Sequence, residues 1–259
     1  MNTKPSNAFS SSNEPPKKKR KLPSLDDTFS DQPRATDSPA LHEGRKRVQP
    51  HVAGQWAAHV YVDLVLDPTL RRVVGNAIEH VKTSPPSEKG YIHSYFNSEG
   101  DPGEEERSSL HVSLSRPLYL QTNQKADLRT AVAKVAAEFK GFEARYSSFG
   151  MLENDEKTRR FLAIEIGQGY QELKDIVKKL DVELKSMRLP SYYESPRFHT
   201  SIAWTSLDQN DTSNSPPFEE QQLKELDRMF GRRLRQDELW VGELILKIGK
   251  DVHRYRLAG

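Results

Sequence analysis

The chain has no cysteine. Disulfides, thiolate zinc sites and thiol nucleophiles are therefore excluded, and the composition is compatible with a reducing compartment. No apolar run reaches the roughly eighteen residues of a membrane span, so no transmembrane helix and no membrane partner are expected. The opening stretch MNTKPSNAFSSS lacks the apolar core of a secretory signal. Sequence signals of metal and nucleotide chemistry are missing too. There is no His-Glu-x-x-His, no carboxylate cluster of the two-metal type and no Walker-type phosphate loop. No cofactor and no metal are expected.

Aromatic residues are nearly absent from residues 1–50, which hold only Phe9 and Phe29 among many Ser, Pro, Asn and Asp. Such a segment cannot bury enough apolar surface to offset its ordering entropy, so residues 1–50 are expected to be a disordered tail. Residues 51–259 carry nearly all the Trp, Tyr, Ile and Val and are long enough to bury a sizeable core as one domain. Charge divides along the same line. The tail holds ten basic and six acidic residues, leaving 29 basic and 31 acidic in the remainder. The folded part is therefore no generic polybasic nucleic-acid binder, and any RNA site on it is local. Within the tail, Pro16 precedes five consecutive cations, Lys17, Lys18, Lys19, Arg20 and Lys21. An extended basic run of this kind reads as a nuclear localisation signal, with an import receptor as partner and the nucleus as location.

Apolar periodicity marks the elements. Gln55 to Leu66 reads as a strand, and Pro68 opens a helix with Leu70, Val73, Val74, Ala77, Ile78 and Val81 on helical spacing. Leu110 to Ser115 is a strand limited by Pro117, and Lys125 to Phe139 a helix. Phe142 to Met151 and Arg160 to Ile166 read as a hairpin, Tyr170 to Lys185 as an amphipathic helix and Phe198 to Thr205 as a strand. A helix over Phe218 to Phe230 and strands over Leu239 to Ile248 and Val252 to Leu257 follow. The expected class is α+β. It has two pseudo-symmetric lobes, each a small antiparallel sheet backed by helices.

Two of those strands carry matching segments, Leu110-His111-Val112-Ser113-Leu114 and Phe198-His199-Thr200-Ser201-Ile202. Alternate side chains of a strand share a face, so His111 and Ser113 point one way together, as do His199 and Ser201. With one such strand per lobe meeting at a central cleft, two imidazoles and two hydroxyls converge. A neutral imidazole takes a proton from an attacking hydroxyl, and a protonated one gives a proton to the leaving oxygen. Ser113 and Ser201 suit donation to non-bridging phosphate oxygens, where charge grows in the transition state. RNA supplies its own nucleophile, the ribose 2′-OH, and the product would be a 2′,3′-cyclic phosphate. Tyr193, on the Pro-pinned loop Leu189 to Arg197, can reach over such a site and stack a base. Tyr192 and Trp204 are weaker candidates, and Trp204 falls on the face opposite His199, in the core. A serine-nucleophile hydrolase lacks an orienting acid and an oxyanion motif here.

The paired motifs resemble those of the two-histidine (2H) phosphoesterase superfamily. Three further stretches are similar to the U6 small nuclear RNA phosphodiesterase family. They are Gly44 to Arg47 with Pro50, His51, Gly54, Trp56 and His59-Val60-Tyr61-Val62; Leu110 to Arg116; and Tyr192-Tyr193 with Pro196 through Trp204. The resemblance covers roughly residues 44 to 257. It implies a nuclear, metal-independent 3′→5′ RNA exonuclease that trims the oligouridine end of U6 small nuclear RNA in splicing and leaves a blocked 3′ end. His111 and His199 become its catalytic pair, Ser113 and Ser201 its phosphate-binding pair, and Tyr193 its base-stacking residue. The expected partner is an RNA 3′ end and the expected state a monomer. Two other readings share the site: a cyclic phosphodiesterase on nucleotides or RNA ends, and a non-catalytic RNA-binding splicing factor. Ser115 has no counterpart in the second motif, where Ala203 sits, and is assigned no catalysis.

Overall fold

A computed structural model of the chain describes Met1, Val52 and residues 54–84, 92–95, 109–207 and 218–259. Its contacts separate Met1–Arg47 from Val48–Gly259. The run Lys17 to Lys21 and the segment Gly44 to His51 lie outside the described residues. Every element below belongs to the second unit.

In chain order these are β1 (Gln55–Val65), α1 (Pro68–Thr83), β2 (His93–Ser94), β3 (Ser109–Ser113), β4 (Leu118–Gln121), α2 (Gln124–Glu138), β5 (Phe142–Ala144), β6 (Tyr146–Glu153), β7 (Arg159–Ile166), α3 (Tyr170–Ser186), β8 (His199–Ser206) and α4 (Glu220–Leu226). A π-helical turn (Asp227–Gly231) leads from α4 into α5 (Arg232–Leu234), followed by β9 (Leu239–Val241), β10 (Glu243–Ile248) and β11 (Asp251–Arg256).

β1 shows why the first sheet forms. Ala58, Val60, Val62 and Leu64 are buried, whereas His59, Tyr61 and Asp63 face the other way, the period of two expected of a half-buried strand. Its neighbours run in the order β11-β10-β1-β3, with β4 also pairing β1. The second sheet runs β2-β8-β7-β6, and every described pairing in both sheets is antiparallel. α2 lies on β4, β10 and β11, with α3 against α2. α1 crosses to back β8, and α4 covers β6. The turn into α1 is sharp because the Asp67 carboxylate accepts the N–H groups of Thr69 and Leu70, and Pro68 occupies a position that needs no donor. This is the expected architecture of two antiparallel sheets with helices behind them, one His-x-Ser strand in each.

Three expected elements divide. The run Phe142 to Met151 breaks at Arg145, whose N–H donates to the Gln168 carbonyl while its own carbonyl accepts from Gly167. β5 consequently pairs with β9 in a small separate ladder, and only β6 joins the second sheet. Leu239 to Ile248 breaks at Gly242, which accepts from the Leu257 N–H. The last helix starts later than its apolar pattern, at Glu220, because Gln222 and Glu219 form a capping box. It then runs beyond Phe230 through the π turn to Leu234.

Both motif strands bulge immediately after the motif serine. On the first, the Leu114 and Ser115 N–H groups both donate to the Val60 carbonyl, and the Ser115 hydroxyl accepts the Val60 N–H at 3.0 Å. On the second, Ser201 pairs with Ala163 and Ala203 with Leu162, leaving Ile202 as the extra residue. A bulge bends its strand and re-aims the neighbouring side chains, and such bulges recur beside active sites. Ser115 is fully buried in this role, which accounts for its presence without any catalytic duty.

Candidate active site

The two motif strands approach one another, β3 from the first sheet and β8 from the second. Between the sheets lies an open cleft of about 680 Å³, lined by Ser113, Ser201, His199, Tyr193, Arg197 and Lys247 among others. The lining brings Ser113 together with His199 and Ser201, more than eighty positions away in sequence, whereas His111 is not among the lining residues.

His199 is the more constrained histidine. Its Nδ1 lies 2.6 Å from the Arg197 carbonyl. A carbonyl only accepts, so Nδ1 carries the hydrogen and Nε2 is the nitrogen that works in the cleft. Glu165, its cross-strand neighbour on β7, pairs with the Arg197 guanidinium. A side chain on Gly150, on β6, would collide with that Glu165 carboxylate, so glycine leaves room for the pair. Burial pushes the His199 pKa below the ordinary imidazole value. The hydrogen bond to the Arg197 carbonyl and the Glu165 charge pull it back up, and the Arg197 charge works against them.

His111 stands on β3 opposite Asp63 of β1. Its ring is flanked edge-on by His59 at 5.6 Å and Tyr61 at 5.4 Å between centroids. His111 is exposed as a residue, yet the neighbouring rings partly desolvate its imidazole. That desolvation lowers its pKa, and the charges of His199 and Lys247 lower it further. His111 and His199 thus sense each other, and protonating one opposes protonating the other.

Tyr193 is held from behind. Asp181 of α3 accepts the Tyr192 N–H at 2.8 Å, and the Tyr170 hydroxyl donates to the Pro196 carbonyl at 3.0 Å. The Tyr193 ring is 43% exposed, with the Arg116 guanidinium 4.7 Å from its centroid. Its hydroxyl donates to Asp155, in the turn between β6 and β7, and Arg116 pairs with the same carboxylate. Arg116 follows β3 and Asp155 follows β6, so this trio ties the two sheets across one end of the cleft. Tyr192 is buried and stacked on Phe198, and Trp204 is buried and stacked on His93 at 4.1 Å. Both belong to the core.

A family model described as "HVSL: Uncharacterised conserved protein" matches residues 20–256. The chain belongs to the HVSL family. Its residues 111–114 read His-Val-Ser-Leu. U6 snRNA phosphodiesterase 1 of Mus musculus is 26% identical over 250 residues, spanning 95% of this chain and 84% of the relative. The Homo sapiens protein of the same name is 25% identical, spanning 79% and 72%. The Drosophila melanogaster one is 27% identical, spanning 85% and 77%. Among solved structures, Kluyveromyces marxianus Usb1 with uridine monophosphate shares the fold. It has a TM-score of 0.55 at 17% identity and covers 78% of this chain and 98% of its own. The resemblance read from the motifs is thus met by relatives of that name.

The HVSL cleft contains groups that motif reading did not single out for roles. His59 of β1 places Nε2 3.0 Å from the Ser113 hydroxyl. Burial, then the charges of His111 and Lys247, push its pKa down to about 4, so it is neutral at physiological pH. A neutral ring protonated at Nε2 donates to the Ser113 oxygen and turns the hydroxyl hydrogen toward the cleft. Lys247, opposite His59 on β10, adds a cation to the same face. Alternation along β1 puts His59, Tyr61 and Asp63 on one face, but only the pairing of β1 with β3 reveals that this is the face of His111. Among the described residues no three His, Asp or Glu side chains are grouped to hold a metal ion.

Proposed function

We propose that the protein is a 3′→5′ RNA phosphodiesterase that removes nucleotides from the 3′ end of U6 small nuclear RNA by transesterification through the ribose 2′-OH. One observation carries this reading: two bulged His-x-Ser strands, from separate antiparallel sheets, facing one cleft. In the proposed step the 2′-OH of the penultimate nucleotide attacks its own 3′-phosphate. The 2′-O–P bond forms and the P–O5′ bond to the terminal nucleoside breaks, leaving a 2′,3′-cyclic phosphate. His111 receives the 2′ proton and His199 delivers a proton from Nε2 to the departing O5′. The assignment rests on environment. Burial opposes a charge on both rings; His199 and Lys247 add to that on His111, which suits a base, whereas the Arg197 carbonyl and Glu165 partly offset it on His199. Ser113 and Ser201 donate to the non-bridging oxygens, and Tyr193 stacks the terminal base. Lys17 to Lys21 direct the protein to the nucleus through an import receptor, and it acts there as a monomer.

The test is a gel assay on 5′-labelled, oligouridine-tailed RNA in excess EDTA. A 3′→5′ ladder that persists in EDTA and stops at a 2′-deoxy penultimate ribose is the expected result. Tight binding without cleavage would replace the enzyme with a binding role. Turnover of isolated cyclic phosphates alone would favour a cyclic phosphodiesterase.

A further inference from the structure

A second cavity, of about 660 Å³, lies against the loop that carries Tyr193. Its far wall is one face of α3, and it shares Arg116, Tyr192 and Tyr193 with the cleft, so those residues form the partition between the two spaces. The charges of α3 are sorted about its axis. Toward α2, Lys179 pairs with Glu138 at 2.9 Å and Glu183 with Lys134 at 2.7 Å, so that flank is neutralised by its neighbour. On the α3 side of the cavity stand Lys174, Lys178 and Lys185 with Asp181, and the loop that carries Tyr193 adds one further carboxylate, Glu194, with Arg116 nearby. Positions 174, 178, 181 and 185 follow helical spacing along one face. Asp181 is committed to the Tyr192 N–H, and Lys178 has an exposed partner in Asp175 at 2.8 Å. Exposed pairs of that kind exchange readily for another anion. The three lysines extend about 16 Å along the helix. The folded part as a whole carries no excess of positive charge, so this local concentration beside the cleft stands out.

From this we infer that the α3 face is a binding groove for the sugar–phosphate backbone of single-stranded RNA upstream of the scissile bond. The strand enters the cleft by passing over the Tyr193–Arg116 partition. This inference rests on the RNA 3′-end reading above and extends the grip beyond the terminal nucleotides. Lys174, Lys178 and Lys185 contact phosphates without reading bases, which is how an enzyme of this kind holds a strand that shortens step by step.

The test compares the full-length wild type with the triple variant Lys174→Glu/Lys178→Glu/Lys185→Glu, and with its milder Gln counterpart as a check on folding. The substrates are the dinucleotide UpU, too short to reach the groove, and a 20-nucleotide oligouridine. All three proteins keep the basic tail, so any contribution from it cancels. The expected result is a KM for the long RNA raised about tenfold or more, with UpU turnover unchanged. The dependence of log(kcat/KM) on log salt should flatten by about 2, near 0.7 for each lost single-strand contact. Equal loss on both substrates, or no loss on the long one, overturns the groove. If the wild type cleaves neither substrate, the enzymatic reading fails by itself. Fluorescence anisotropy with the same labelled oligouridine then judges the groove independently, and a Kd unchanged by the triple variant overturns it.

Discussion

The two His-x-Ser strands have matching sequences and unlike surroundings. β8 is an interior strand, flanked by β2 and β7, and its histidine is clamped through Nδ1 to a carbonyl two residues back. β3 pairs only with β1 among the described residues, and its histidine leans on two aromatic rings. The Arg197–Glu165 pair sits beside His199, whereas His59 and Lys247 crowd the face shared by His111 and Ser113. Burial lowers the pKa of both imidazoles, but the neighbours of His199 partly offset that fall whereas those of His111 deepen it. A reaction that needs one neutral and one charged imidazole is served by that asymmetry.

The sharpest way to break the comparison is to remove each histidine in turn. His111→Ala and His199→Ala should each reduce turnover by about a thousandfold or more while RNA binding persists, within the range of positioned acid–base groups. A substrate whose leaving O5′ is replaced by sulfur needs no acid. His199→Ala should recover on it and His111→Ala should not, measured by single-turnover rates. Recovery of His111→Ala instead would reverse the assigned roles.

The serines come next. Ser113→Ala and Ser201→Ala should each lower kcat by about a hundredfold, the scale of losing one donor to a developing oxyanion. The asymmetry predicts more. His59→Leu should slow wild type but add nothing to Ser113→Ala, whereas it should add its full effect to Ser201→Ala. A double-mutant cycle reads the difference, and additivity in both backgrounds would remove His59 from the positioning of Ser113.

Tyr193→Ala should raise KM about tenfold through lost stacking, with Tyr193→Phe close to wild type because the ring remains. A loss on Tyr193→Phe equal to that on Tyr193→Ala would show the Asp155 contact, rather than stacking, to be the contribution that matters.

The smallest effect concerns stability. His59 titrates near 6.5 when unfolded and about 4 in the fold, so the fold favours its neutral form. Its contribution is present above pH 6.5 and lost as pH falls through about 4. Thermal melts should show His59→Gln with a shallower loss of Tm between pH 6.5 and 4 than wild type. Parallel slopes would contradict the buried neutral ring.

Much of this arrangement was legible before any coordinates. Alternation along β1, the apolar stripe of α3 and the twin motifs all follow from local side-chain chemistry, and each appears where it was expected. What escaped were the breaks at Arg145 and Gly242 and the π turn after α4. The two breaks depend on hydrogen bonds to distant backbone, and Asp227 at the start of the π turn accepts the Phe149 N–H of β6, so no local window contains these partners. His59, Glu165 and the Arg116–Asp155–Tyr193 trio escaped for the same reason. Each matters only through a partner at least thirty residues away.

By itself the sequence determined which residues share a face, which segment lacks the apolar content to build a core, and that two imidazoles and two hydroxyls were available as matched pairs. Strand periodicity and composition are local properties, and they are sufficient for that. Only the tertiary structure decided that bulges follow both motif serines, that Glu165, His59 and Lys247 come to stand beside the motif residues, and that the burial lowering both imidazole pKas is partly offset at His199 and reinforced at His111. A pKa depends on the dielectric and the charges around a group, and those are set when distant parts of the chain are packed together.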